Sequence, residues 1–256
     1  MTQDKDNAGR VQAVDRALYL LEALAEEPEG RRLHELSAAT GLSPSTAHRL
    51  LTTLQHHRFV QFDGMSSLWR IGRRAYSVGS TFAQQRNLVG PALSFLRRLR
   101  DQTRETANLG IVDDAEMVVL TQIESREIMR AITRIGGRAP MAASGMGKAI
   151  LATYPREDVD LWLKHHRLRP MTPKSIVDRE QLYRELAITA ERGYAVDDEE
   201  FVTGLRCVAA VVRDHRGEVL CAISVSGLPA RMPHDALPRL GRLVAETAAE
   251  LGAVLS

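Results

Sequence analysis

The stretch from Leu33 to Phe59 constrains this chain more than any other. It predicts two short helices around a tight turn, the second opening on a cap. Ser43 is placed to accept a hydrogen bond from the N–H of Thr46, and Pro44 stands at the first helical position, where no intrahelical N–H bond is lost. Leu50, Leu51 and Leu54 then make an apolar stripe at helical spacing, while Ser45, Thr46, His48, Arg49 and Thr52 are polar and fall early in the helix. A helix that is apolar behind and carries short polar side chains and an arginine at its start suits insertion into a DNA major groove. The same segment also fits an ordinary surface helix with a good cap, so the flanking sequence has to decide.

Upstream, Val14, Ala17, Leu18, Leu20, Leu21 and Leu24 predict a helix from Val14 to Ala25, ended by Pro28, Glu29 and Gly30. Downstream, Phe59 to Phe62 and Leu68 to Gly72 flank a turn at Asp63 to Ser67 and read as a hairpin. Three helices followed by a two-stranded wing make a winged helix-turn-helix, which favours the DNA reading. Charge agrees. The whole chain carries only +2, too little for general polyanion coating, yet from Leu42 to Arg74 five arginines face one acid, Asp63. The candidate DNA-contacting set is Ser43, Ser45, Thr46, His48 and Arg49, with Arg70 from the wing and Arg16 from the first helix. For Arg16 a plain exposed helical arginine is the commoner reading. Residues 1–10 are polar and aperiodic and read as a mobile arm.

With 256 residues, 44% of them hydrophobic, the chain has room for two domains. The organisation expected is DNA binding over 11–73, a linker helix over 74–86, and a second domain over 87–256 that opens with an amphipathic helix from Asn87 to Thr103. Strand-like runs follow at Ala107 to Val112, Met117 to Ile123 and Ile128 to Ile135, then helices at Gly145 to Thr153, Arg156 to Lys164 and Arg179 to Glu191. Strands at Tyr194 to Val196, Leu205 to Arg213 and Val219 to Val225 precede a closing helix from Asp235 to Leu251. This pattern predicts an α+β domain around an antiparallel sheet.

Three places there suit a ligand. Ala143 to Lys148 leads into an apolar helix whose first N–H groups suit an anion. It is not a phosphate loop, because Ala142 and Ala149 stand where that motif needs glycine and Ser or Thr. Gly193 to Glu200 sets an acidic cluster after a strand, and Cys207, Ser224 and Ser226 lie within strands, with the two serines on one face. Cys207 and Cys221 as the sole cysteines, with no signal peptide or long apolar run, point to a reduced cytoplasmic chain without structural disulfides or a membrane role.

Taken together, AVDRALYLLEAL, GLSPSTAHRLLTTL, SGMGKAILA, and GYAVDDEEFVTGLRCVAAVV followed by AISVSG resemble the IclR family of transcription regulators over about Arg10 to Ser256. The resemblance implies a winged helix-turn-helix, a linker helix and a GAF-like effector domain, with dimers or tetramers on double-stranded DNA. It also implies a small organic acid as effector, held by the backbone N–H groups of Gly145 and Met146 and lined by Asp197, Cys207, Ser224 and Ser226. Met146 departs from the alanine common in glyoxylate- and pyruvate-binding members, which predicts a tighter or reshaped pocket. With 5% aromatic residues, this favours an acid of two to four carbons. The segment SREIMRAITRIGGRAPMAASGMGKA is similar to glyoxylate-sensing members, making glyoxylate the first expectation. No cofactor, metal or catalytic residue is expected. The competing readings are an enzyme with Cys207 as nucleophile, for which only His215 stands near in sequence, and a metal sensor using the two cysteines, for which no CxxC or HxxxH set exists.

Overall fold

The computed structural model describes residues 11–85, 88–127 and 134–255, with side chains apart from those of 82–85. They form two compact units divided between Arg86 and Asn87. The expected arm over 1–10, and the part of the expected strand over 128–133, lie outside the described residues.

In the first unit, α1 (Gln12–Ala25), α2 (Leu33–Thr40) and α3 (Pro44–His56) precede the hairpin of β1 (Val60–Asp63) and β2 (Leu68–Ile71), and α4 (Arg73–Gln85) follows. Leu20, Leu24, Leu36, Ala47, Leu51, Val60 and Trp69 form a small core, with Leu50 and Leu54 packed at its edge. Trp69 of the wing closes that core and, through reciprocal backbone bonds with Arg31, ties the segment before α2 to the hairpin by an isolated bridge. The wing is therefore part of the core as well as an appendage.

The second unit opens with α5 (Val89–Thr103). Its sheet holds β3 (Thr106–Asp113), β4 (Glu116–Ile123), β5 (Arg138–Pro140), β6 (Ala195–Asp198), β7 (Arg206–Arg213) and β8 (Val219–Gly227) in the order β5-β4-β3-β8-β7-β6, antiparallel throughout. The β3–β4 turn, Asp114 and Ala115, has φ of +49° and +59°, the handedness that matches strand twist in a two-residue hairpin. On one face of the sheet, α5 and α9 (Leu237–Leu255) bury Ala107, Leu109, Ile111, Val208, Ala210, Cys221, Ile223 and Val225. On the other, α6 (Gly145–Leu151), α7 (Arg156–His165) and α8 (Arg179–Arg192) enclose a second core with Ala195, Ala209 and Ala222. Successive strand residues thus serve opposite faces.

The expectation of a strand running to Ile135 is corrected: Arg134 and Ile135 lie outside any strand, and the sheet edge is β5 three residues later. Its brevity, and a proline in its last position, hid it from pattern reading. The closing helix begins with a single 3-10 turn at His234–Ala236. Among the described residues no helix is long and apolar enough to cross a membrane.

Candidate functional site

Each unit carries one candidate site. In the first, Ser43 is extended at φ −64°, ψ 147°, and its Oγ accepts from the Thr46 N–H at 3.3 Å. The same hydroxyl donates to Thr46 Oγ1 at 2.9 Å, so Ser43 is committed to the cap. Ala47 and Leu51 point into the core and turn Ser45, His48 and Arg49 outward. Arg16 of α1 borders the same shallow groove as Thr46, Arg49 and Thr53. His48 is partly spoken for, its ring edge-on to Trp69 at 6.2 Å.

Arg70 has a different position from its companions. Its Nε donates to the Glu29 carbonyl at 2.9 Å and its Nη1 to Asp63 Oδ2 at 3.3 Å. The Asp63 carboxylate also accepts from Ser66 Oγ and the Met65 N–H, and these bonds hold its pKa down at about 2. Arg70 therefore braces the wing turn, a role invisible in a sequence where its partner Glu29 stands far upstream.

In the second unit, a cavity of about 480 Å³ is lined by Gly145, Met146, Asp197, Cys207, Ser224 and Ser226, all six residues expected to bind the acid. They arrive from α6, β6, β7 and β8, brought together because β6, β7 and β8 are adjacent and α6 packs on that face. Cys207 lies opposite Asp197 in one register and opposite Ser226 in the other. At the start of α6, Ser144 Oγ takes the Gly147 N–H at 3.0 Å, leaving the N–H groups of Gly145 and Met146 without an intrahelical acceptor. A Cβ on Gly147 would stand 2.3 Å from the Met141 carbonyl oxygen, so only glycine lets the helix start there. The Met146 thioether lies against Gly110, filling the one place on β3 that has no side chain. The methionine therefore packs on β3 while still lining the cavity.

The polar end has unusual electrostatics. Asp197 is 1% exposed, and its Oδ1 accepts from the N–H groups of Glu200 at 2.7 Å and Phe201 at 3.4 Å. Burial, then the charge of Glu200, push its carboxyl up to about 7. Behind it, fully buried Lys148 pairs with Glu200 and lies 3.6 Å from Glu185 Oε1. Glu200 Oε2 is buried without a hydrogen-bond partner among the described residues. Sequence reading missed Lys148 and also missed Asn108, whose Nδ2 donates to Ser224 Oγ at 3.2 Å and Ser226 Oγ at 3.0 Å. The signal for Asn108 was a lone amide in an otherwise apolar strand.

The surroundings of Cys207 disfavour the thiolate that a nucleophile needs. Burial and the nearby Asp197 drive its thiol far above the usual range, and its polar contact is Ser226 Oγ at 3.0 Å. Among the described residues, no three His, Cys, Asp or Glu side chains gather where a metal ion would sit.

Comparison with known proteins places this geometry. Residues 13–64 match the model of the IclR helix-turn-helix domain, and residues 80–253 that of the bacterial transcriptional regulator IclR C-terminal domain. The chain is 41% identical over 245 residues to the transcriptional repressor IclR of Escherichia coli K12, covering 95% of this chain and 89% of that protein. It is 40% identical over the same length to the acetate operon repressor of Salmonella typhimurium, with the same coverage. The crystal structure of the Thermotoga maritima IclR superposes with a TM-score of 0.78 at 26% identity, covering 96% of this chain and 99% of that one.

Proposed function

Because this chain belongs to the IclR family of DNA-binding transcription regulators, whose C-terminal domain binds a small-molecule effector, we propose that its operator affinity is set by a small organic acid, glyoxylate first, bound in the cavity of the second unit. The observation that carries this reading is the convergence of Gly145, Met146, Asp197, Cys207, Ser224 and Ser226 on one cavity. Unpaired N–H groups on one side and two serine hydroxyls on another suit a short molecule with oxygen at both ends. The remaining volume lies between apolar residues such as Val119, Phe201 and Leu228, and a two-carbon acid shares it with water.

On the DNA side, Ser45, Thr46 and Arg49 contact base edges or phosphates, His48 assists, and Arg16 reaches a phosphate beside them. Ser43 acts through the cap and Arg70 through the wing. An isologous dimer, alone or paired into a tetramer, presents two reading helices to a pseudo-palindromic operator with half-sites about one helical turn apart. Effector binding shifts operator affinity by about 5- to 150-fold, the span of ordinary coupling free energies.

The test is calorimetric titration of the full chain with glyoxylate, pyruvate, glycolate, oxalate and succinate, followed by a mobility-shift assay with each acid on DNA upstream of the gene. Binding of glyoxylate with a changed shift supports the whole reading. A clear shift that no acid alters, with no heat on titration, removes the acid and leaves the regulator.

A further inference from the structure

Asn108 ties together two other polar side chains of the cavity. It is 1% exposed in the middle of β3, the strand beside β8, and its amide nitrogen reaches both Ser224 and Ser226. An amide nitrogen carries two hydrogens and no acceptor, so both are spent on the two serine oxygens. Each serine has one proton. Among the described residues, the Ser224 hydroxyl has no hydrogen-bond partner besides Asn108, so its O–H and its second lone pair are left to the cavity. Ser226 also meets Cys207 Sγ at 3.0 Å. Either atom of that contact can be the donor, and where the thiol gives its proton the Ser226 O–H too is turned to the cavity. Because the amide occupies a lone pair on each serine oxygen, it biases both hydroxyls to present their protons to the cavity.

We propose that Asn108 is a specificity-determining positioning residue, which biases Ser224 and Ser226 toward donating and so favours 2-oxo acids, whose oxygen only accepts, over the corresponding 2-hydroxy acids, whose own O–H needs an acceptor there. This rests on reading the cavity as the effector site. The preference expected is about tenfold, the cost of leaving the hydroxy acid's own O–H without a good acceptor.

Two substitutions read the direction of the network. Asn108→Leu keeps the volume and removes the donor, which frees the hydroxyls to turn. Asn108→Asp replaces a donor by an acceptor, which turns the serine protons toward Asp and their lone pairs toward the ligand. The measurement is the ratio of dissociation constants for pyruvate and lactate, with the glyoxylate and glycolate pair beside it. Both acids of a pair carry the same charge, so added repulsion cancels from the ratio, and general loosening of the site lowers both affinities alike.

The expected result is a ratio favouring the oxo acid in the unaltered chain, falling toward unity in Asn108→Leu and reversing in Asn108→Asp. Folded variants that lose both acids in proportion overturn the proposal and leave the cavity as effector site. Absence of binding to all four acids by the unaltered chain overturns the reading of the cavity and the proposal with it. If neither variant folds, Ser224→Ala removes one directed donor, and an unchanged ratio in that protein overturns the proposal.

Discussion

Replacing Lys148 by methionine removes a charge that has no contact with solvent. The side chain is 0% exposed and its ammonium group is paired with Glu200, itself 8% exposed, with Glu185 Oε1 3.6 Å away. Glu185 has a second partner, Arg192 Nη2 at 2.9 Å, and is the less dependent of the two. Glu200 is not so provided for. One of its oxygens is already without a partner, and burial pushes its pKa up while Lys148 pulls it down. Methionine fills most of the lysine stem's volume, so the cavity contribution is small and the cost is that of an unpaired buried carboxylate, about 3–5 kcal/mol. For a unit of this size that is a fall in Tm of about 6–20 °C, at about 2–4 °C per kcal/mol. Adding Glu200→Gln removes the orphaned charge, and the double variant is expected to regain most of the loss.

The chain has two tryptophans, Trp69 in the first unit and Trp162 in the second. A Trp69→Phe background therefore makes intrinsic fluorescence report the second unit alone in the full chain. Thermal and urea unfolding of single and double variants measure the difference. A loss below about 1 kcal/mol for Lys148→Met, the value of an exposed pair, refutes the argument. So does a double variant no more stable than the single one.

Three further outcomes follow from the same geometry. Arg49→Ala weakens operator binding by about 1–3 kcal/mol and flattens discrimination at one base position, with the acid's dissociation constant unchanged by calorimetry. Gly147→Ala forces a Cβ to 2.3 Å from the Met141 oxygen and is expected to cost about 1–3 kcal/mol or more and to abolish acid binding, read by calorimetry and Trp162 fluorescence. Asp197, with a pKa of about 7, is increasingly neutral below that pH and increasingly anionic above it. Because the ligand is an anion across this range, its affinity should fall as pH rises from 6 to 8, approaching tenfold per unit above the pKa. Asp197→Asn should flatten the profile, and an equally steep profile in that variant assigns the effect elsewhere.

Much of the first unit could be read from sequence because its signals are local. The Ser43 cap, Pro44 and the turn at Asp63 each act over a few residues, and the Leu50, Leu51 and Leu54 stripe needs only helical spacing. Within that stripe burial is uneven: Leu51 is fully buried and its neighbours only partly, with Ala47 taking the remaining core position. Arg70 shows the limit, since its partners are an acid across a turn and a carbonyl forty-one residues away. In the second unit, helices and long strands follow their periodicity, but β5 is too short to have one. The cavity residues were found through resemblance to a family rather than through spacing, because they come from segments far apart in the chain. Asn108 and Lys148 escaped for a related reason. A lysine reads as surface until its buried carboxylate partner is known, and that partner lies fifty-two residues on.

The alternation along β8 has a consequence for how such a protein can change. Ala222, Ser224 and Ser226 face the helix α6 side, while Cys221, Ile223 and Val225 belong to the core beneath α5 and α9. Side chains one residue apart therefore answer to different demands, one set to the ligand and the other to folding. A lineage descended from this chain can exchange a serine for another small residue and acquire a new effector without disturbing the packing behind it. The ordinary two-residue repeat of a strand thus separates what must be kept from what is free to vary.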